Sequence, residues 1–212
     1  EGNFCHIVNL YNGDDKTLVA SQITPSTSKI GGERAASKEI LEKINLEGAI
    51  ITGDAAFSSG DFPSKIIEKK AHFFLKIKDN TKILKDTMRV RLGQHTHIRG
   101  KKYLDTDLGS GKVYEREIIA LPTASLYSVL PAGLQSAQRF GMIQNRITDK
   151  KTKEVTVKEH FFITSLTEEE ADSKRLLEIH LSHWRVENDL HRAKDMFLGE
   201  DKKTIRSAKK GE

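Results

Sequence analysis

The clearest structural signal in this chain is the run His180-Leu-Ser-His-Trp-Arg-Val-Glu-Asn-Asp-Leu-His-Arg-Ala-Lys-Asp195. Its spacing predicts a helix, in which positions three or four residues apart share a face. One face would then carry an acid, an amine and two imidazoles, contributed by Glu187, Lys194, His183 and His191. A solvated helical face with ordinary ion pairs has a similar composition, so this run alone leaves a structural and a functional interpretation open.

Composition limits the classes of protein to which the chain can belong. It has 212 residues, of which 37% are hydrophobic and 31% charged, enough for a proper core beneath a polar surface. The sequence contains no run as long as a membrane span and no signal peptide, so we expect no membrane partner and a cytoplasmic location. The single cysteine, Cys5, excludes an internal disulfide and a cysteine-based metal cluster.

The distribution of charge is compatible with a nucleic-acid partner. The net charge is +5, and basic residues are concentrated in two segments, 76–102 and 202–210. Two basic segments around a more acidic middle suit a phosphate backbone. Charged runs are also often plain solvated faces, so this pattern permits DNA binding without requiring it.

The first eighty residues predict an α/β domain. Apolar alternation indicates strands at 4–11 and 17–24 joined by a turn at 12–15, and helical spacing follows at 33–44. A short strand at 48–54, a helix at 62–70 and a strand at 72–78 complete the order β-β-α-β-α-β. This order is typical of a mixed sheet with flanking helices.

The middle of the chain predicts a β-rich insertion. Helical periodicity fades after Arg91, and alternating segments appear at 113–121, 136–148 and 154–166. Thr167 is then expected to cap a helix that runs to about Asp195, with acids in its first turn. The apolar stripe of this helix is predicted to contain Leu176, Leu177, Leu181 and Trp184.

Two acids in distant elements are candidate metal ligands. Asp54 ends a predicted buried strand, where α/β proteins often place functional groups, although Gly-Asp-Ala is also a common turn. Glu187 lies in the predicted last helix. Paired carboxylates from separate elements suit a hard cation such as Mg²⁺. The competing metal is zinc, bound by His183, Glu187 and His191, but no His-Glu-x-x-His motif or clear further ligand accompanies them.

Five motifs occur in the order found in a known family. They resemble those of the DDE-type insertion-sequence transposases, in particular the group that includes the H-repeat-associated proteins. The motifs are Ile51–Ala56, Ile66–Asn80, Phe162–Leu166, His183–His191 and Gly199–Asp201. The resemblance implies an RNase H-like mixed sheet with flanking helices and a β-rich insertion before the last catalytic helix. It also implies three acids that bind two Mg²⁺ or Mn²⁺ ions and transfer phosphoryl groups on DNA.

The resemblance assigns roles to individual residues. Asp54 matches the second acid and Glu187 the third, whereas the first would lie on a strand before Phe4. Around the glutamate, Lys194 stands at the lysine position of the family's Tyr-Arg-Glu-Lys signature, His183 at the arginine and His180 at the tyrosine. The residues expected to contact DNA are His183, Arg185, Lys194, Lys76 and Lys78.

The resemblance also sets the expected organisation and function. Residues 1–80 would form the first part of the core without its initial strand, 81–166 the insertion and return strand, and 167–212 the acid-bearing helix and basic tail. The chain would be a fragment of an enzyme that cuts and joins double-stranded DNA at element ends and target, in the bacterial nucleoid. The resemblance suggests that such an enzyme acts as a homodimer on paired ends. With two of three acids, we expect weak or no catalysis. The alternatives are a non-catalytic DNA-binding remnant or regulator and an unrelated zinc hydrolase.

Overall fold

The computed structural model describes residues 4–12, 18–26, 32–94, 102–109 and 111–193. Its strands are β1 Phe4–Tyr11, β2 Leu18–Ser26, β3 Ile50–Gly53, β4 His72–Ile77, β5 Lys102–Gly109, β6 Lys112–Pro122, β7 Arg139–Asp149 and β8 Val155–Thr164. Its α-helices are α1 Gly32–Lys43, α2 Phe62–Glu68, α3 Lys82–Gln94 and α4 Ser173–Ala193. Among these described helices, none combines the length and the apolar character that a membrane crossing requires.

The strands form a mixed sheet and a separate hairpin. The six-stranded sheet has the order β3-β4-β8-β7-β6-β5, in which β3 and β4 are parallel and the other pairs antiparallel. Strands β1 and β2 form the antiparallel hairpin, against which α1 packs. The predicted α/β architecture and the order β-β-α-β-α-β are therefore confirmed. Most of the predicted turn at 12–15 lies outside the described residues.

Helices cover both faces of the six-stranded sheet. On one face, α2 and α3 pack on Phe73, Leu75 and Ile163, all fully buried. On the other face, α4 packs on Phe74 and Phe162. Burial on both faces explains why β4 is a nearly continuous apolar run rather than an alternating one.

The middle of the chain differs from the predicted β-rich insertion in two ways. Residues 82–94 form α3, whose Leu84, Met88 and Leu92 recur every four residues and are buried in the core. The helical periodicity noted as far as Arg91 belongs to this helix, but the segment was assigned to the β-rich insertion because the exposed Ile83 and Val90 blur the pattern. Strand β5 was also missed, whereas β6, β7 and β8 agree with the predicted alternation and extend the sheet from β4.

The start of the last helix was predicted five residues too early. Thr167 and Glu170 exchange two hydrogen bonds, of 2.8 and 3.3 Å, but these close an isolated turn. Helix α4 begins at Ser173, and the Asp172 carboxylate accepts the Arg175 N–H at 2.8 Å. The predicted apolar stripe is also wrong at Trp184, which is 48% exposed, because helix α4 rotates that position away from the sheet.

We expect Gly141→Ala to lower the free energy of unfolding by about 1–3 kcal/mol, the usual cost of overpacking. A Cβ at Gly141 would overlap the Ile119 carbonyl oxygen and the Phe162 ring, both fixed in the sheet core. Gly93→Ala is the matched control, since a Cβ there meets no atom within 4 Å and alanine favours the helix. Equal denaturation midpoints for the two variants would contradict this packing.

Candidate metal and DNA site

Asp54 lies where β3 ends and the chain turns. Its backbone is extended, and a short 3-10 helix, Ala55–Ser58, follows directly. The Asn80 side chain donates to the Ala55 carbonyl oxygen at 2.7 Å, which ties this turn to the segment after β4. Because β3 and β4 are parallel, the residues after both strands meet at one edge of the sheet.

The Asp54 carboxylate is paired with a lysine through both oxygens. Lys78 Nζ lies 3.0 Å from each carboxylate oxygen and donates to Oδ2. Oδ1 is shielded from solvent and accepts no hydrogen bond, so the Lys78 ammonium meets it only as an ion-pair partner. A carboxylate oxygen held beside a cation without a hydrogen bond is also suited to a metal ion, which would compete with Lys78 for it.

The protonation state of Asp54 is also suited to a cation. Partial burial tends to raise the pKa of this carboxyl, but the Lys78 ammonium and the nearby Ala55 N–H together hold that pKa below its usual value. Asp54 is therefore a carboxylate at neutral pH. A divalent ion would find a charged ligand without first displacing a proton.

Helix α4 covers the same face of the sheet on which Asp54 lies. Thr52 and Asp54 are two residues apart in an extended segment and so share a face. Thr52 Oγ1 lies 2.8 Å from His183 Nδ1 on α4, which joins the strand to the helix across this face. Glu187 follows His183 by four residues in the same helix. This hydrogen bond therefore joins the strand that leads to Asp54 to the helix that contains Glu187.

Further basic and imidazole side chains lie along the same face of the sheet. His160 on β8 stacks obliquely on His180 of α4, with ring centroids 5.4 Å apart. Lys76 and Arg116 also act electrostatically on His180. Arg116 is largely engaged within the sheet, since Nη1 donates to Asp105 at 2.8 Å and the guanidinium lies over Tyr114. Of the described basic side chains on this face, Lys76 and Lys78 act on Asp54.

His180 is held neutral by its surroundings. Burial is the main cause, and His160, Lys76, His183 and Arg116 add repulsion, which together lower the pKa of His180 to about 3. A protonated imidazole is disfavoured in the folded state but not in the unfolded chain, whose histidine titrates near 6.5. The unfolded state therefore binds an extra proton between these two pH values.

We expect the free energy of unfolding to fall as pH decreases from about 6.5 toward 3, by roughly 1 kcal/mol per pH unit for one proton. His180→Phe keeps a ring beside Phe74 and removes the titrating group, so it should flatten this slope at pH 5–6. Urea denaturation at several pH values measures it. A slope that persists in His180→Phe would assign the effect to another group, such as His160, whose pKa burial also lowers.

The predicted site residues fall into two groups, those whose contacts the structure gives and those whose side chains lie outside its described part. Lys78 contacts Asp54, Lys76 lies near His180 on the same face, and His183 bonds to Thr52. Arg185, Glu187 and His191 belong to α4, but their side chains lie outside the described residues, as does Lys194. Within the described part of the chain, no three histidine, cysteine or acidic side chains approach closely enough to bind a metal. The zinc alternative, which needs Glu187 and His191, stays an untested prediction.

The described part of the basic segment 76–102 is divided between two faces. Lys76 lies in β4 and Lys78 directly after it, both on the face that α4 covers, whereas Lys85 and Arg89 lie on α3, which packs on the other face. Lys85 pairs with Asp79 at 2.9 Å, and Arg89 approaches Glu159 at 3.8 Å. These two side chains of α3 are therefore paired with acids.

Sequence reasoning missed four participants: Thr52, Asn80, His160 and Arg116. The position of Thr52, two residues before Asp54 in a predicted strand, was a usable signal because alternate strand residues share a face. His160 and Arg116 are brought to the site by the antiparallel pairing of β8, β7 and β6, which no local pattern encodes.

A serine, a histidine and an acid also meet elsewhere in the molecule. Ser165 Oγ lies 3.5 Å from His72 Nδ1, and His72 Nε2 lies 3.6 Å from Glu170. Ser165 is buried and accepts the Phe73 N–H at 2.9 Å. These long contacts and this buried hydroxyl are those of a structural network, not of an activated nucleophile.

Comparison with known proteins indicates the family to which the chain is similar. The family described as "Transposase DDE domain" matches residues 3–210. The chain is also 23% identical over 206 residues to "Putative transposase YncI" of Escherichia coli O157:H7. That alignment covers 95% of this chain and 51% of the relative, so the chain spans about half the length of the protein it resembles.

Proposed function

Since the chain belongs to the transposase DDE domain family, we propose that it supplies two metal-binding acids, Asp54 and Glu187, for phosphoryl transfer on double-stranded DNA. The observation that carries this proposal is the charged Asp54 carboxylate, whose Oδ1 accepts no hydrogen bond, on the face covered by the helix that contains Glu187. Members of this family generally use divalent metal ions. The expected ions are Mg²⁺ or Mn²⁺.

The chemical type of these two side chains suits a divalent ion. Carboxylate oxygens from separate elements are the ligands that Mg²⁺ prefers, and they leave positions for water and phosphate oxygens. A bound divalent ion would act as a Lewis acid on the phosphate and neutralise its developing charge. The protein's own contribution is to hold Asp54 ionised at a fixed strand end and to place α4 across from it.

DNA would approach over the basic end of the sheet. Lys78 and Lys76 lie at that end, and the predicted contacts His183, Arg185 and Lys194 belong to α4 or the segment after it. Their charge would neutralise phosphates and make binding depend on salt. The ends of an insertion element and its target are the proposed substrates, and two copies acting on paired ends are the proposed assembly.

Lys78 has two partners in this proposal, and its replacement tests both. Lys78→Met should bind Mn²⁺ roughly threefold to tenfold more tightly, because a positive charge 3.0 Å from Asp54 is lost. The same variant should bind DNA more weakly, with a shallower dependence on salt. Electron paramagnetic resonance titration of Mn²⁺ and fluorescence anisotropy of labelled duplex DNA measure the two effects.

Lys85→Met is the matched control, since Lys85 lies on the opposite face and pairs with Asp79. It should leave Mn²⁺ affinity unchanged. If both lysine variants bind Mn²⁺ as the parent chain does, no cation shares the Asp54 carboxylate with Lys78, and the proposed metal site is wrong.

The second candidate function is DNA binding without catalysis. It is favoured by the Lys78–Asp54 ion pair, which neutralises the acid when no metal competes. In that case DNA binding would be salt-sensitive, yet indifferent to Mn²⁺ and to Asp54→Asn. If Mn²⁺ tightens DNA binding in the parent chain but not in Asp54→Asn, the metal-dependent function is favoured.

A further inference from the structure

A side-chain hydrogen bond joins the two elements that carry the proposed acids. Thr52 Oγ1 and His183 Nδ1 lie 2.8 Å apart although 131 residues separate them in sequence. Both side chains are partly buried between β3 and α4. Of the two acids, Asp54 follows Thr52 by two residues and Glu187 follows His183 by one helical turn.

Among the described side chains of α4, the other contacts with the sheet are mainly apolar. Leu176, Leu177 and Ile179 pack in the cluster that contains Phe74 and Phe162, all in the first two turns of the helix. These contacts fix which face of α4 meets the sheet, because turning that face away would expose it to water. They lie about two turns before Glu187, so a small tilt of the helix about them would still change the register of its far end, meaning where that end lies against β3.

A hydrogen bond, in contrast, has strict limits of distance and angle. The Thr52–His183 bond lies beyond the apolar contacts, toward the end of α4 that contains Glu187. It therefore restrains the helix where a change of register would most alter the separation of the two acids.

We infer that Thr52 and His183 are positioning residues, whose hydrogen bond sets the register of α4 on the sheet and thereby the separation of Asp54 and Glu187. The restraint on the helix does not depend on the proposed function. Only its consequence, the geometry of a metal site shared by the two acids, rests on that function. The restraint on the helix itself can be measured without metal or DNA.

The test measures the separation of the two positions directly. Spin labels are placed through Asp54→Cys and Glu187→Cys in a Cys5→Ser background, and dipolar broadening gives the distribution of distances. Thr52→Val removes the hydroxyl and keeps the branched shape of the side chain. We expect a wider or shifted distribution of distances, because the far end of α4 loses this restraint. Thr52→Ser, which keeps the hydroxyl, should restore the original distribution.

His183→Phe provides the same test from the helix side and should broaden the distribution as Thr52→Val does. Rescue by Thr52→Ser distinguishes a positioning role from general loss of packing. If Thr52→Val leaves the distribution unchanged, the inference is overturned whatever metal the chain binds. If the distribution broadens as expected but Mn²⁺ binding is insensitive to Asp54→Asn, the positioning inference stands and the proposed function fails.

Discussion

Asp54→Asn is expected to weaken Mn²⁺ binding by about tenfold or more, which corresponds to roughly 1.4 kcal/mol of binding free energy. The substitution keeps the size of the side chain but removes the charge that Lys78 and the Ala55 N–H stabilise. It also changes Oδ1, the shielded oxygen without a hydrogen bond, which is the atom best placed to bind a cation. Titration of Mn²⁺ followed by electron paramagnetic resonance measures the affinity.

Glu187→Gln should cause a similar loss, and the double variant should lose little more than either single variant. Two ligands of one ion are not independent, so their effects should not add. Asp61→Asn is the control, because Asp61 is an exposed acid that pairs with Lys38 away from the site. Unchanged Mn²⁺ affinity in Asp54→Asn, or full additivity with Glu187→Gln, would argue against a shared metal.

Arg139→Met is expected to cost about 2–5 kcal/mol of the free energy of unfolding, because it leaves buried acceptors unpaired. Arg139 begins β7 and is 5% exposed. Its Nε donates to the Leu166 carbonyl oxygen at 3.1 Å, and Nη2 donates to that of Ala171. These two carbonyl groups lie at the two ends of the turn that leads into α4. Loss of the guanidinium should therefore loosen the start of the acid-bearing helix.

Arg146→Met is the matched control for this prediction. It lies on the same strand, is 58% exposed, and meets Glu115 only at 3.6 Å. Its replacement should change the free energy of unfolding by less than about 0.5 kcal/mol, as is usual for exposed ion pairs. Chemical denaturation of both variants checks the contrast, and a cost for Arg139→Met no larger than for Arg146→Met would refute the structural role of the buried guanidinium.

The sequence allowed the elements around the acids to be predicted because their signals are local. The apolar runs of β3 and β4 and the buried positions of α1 mark these elements without reference to the rest of the chain. The start of α4 was less predictable, since the Thr167–Glu170 pair satisfies a helix-start pattern but closes a separate turn. Local patterns predict the existence of a helix or strand more accurately than they predict the residues at which it begins and ends.

The contacts that define the candidate site are mostly non-local. Lys78 was predicted to contact DNA, and its ion pair with Asp54 depends on the parallel pairing of β3 with β4. The Thr52–His183 bond depends on which face of the sheet α4 covers. Neither follows from spacing along the chain. The assignment of Asp54 and Glu187 came instead from the order of motifs in a family, which records the folded arrangement indirectly.

Localised iron cleavage can show whether Asp54 and Glu187 bind one and the same divalent metal ion. Fe²⁺ replaces Mg²⁺, and ascorbate with peroxide then generates hydroxyl radicals that cut the backbone beside the bound ion. We predict cuts near residue 54 and near residue 187 in the same preparation, both suppressed by excess Mg²⁺ and by Asp54→Asn. Cuts at only one of these positions, or cuts that neither Mg²⁺ nor Asp54→Asn suppresses, would contradict a shared site.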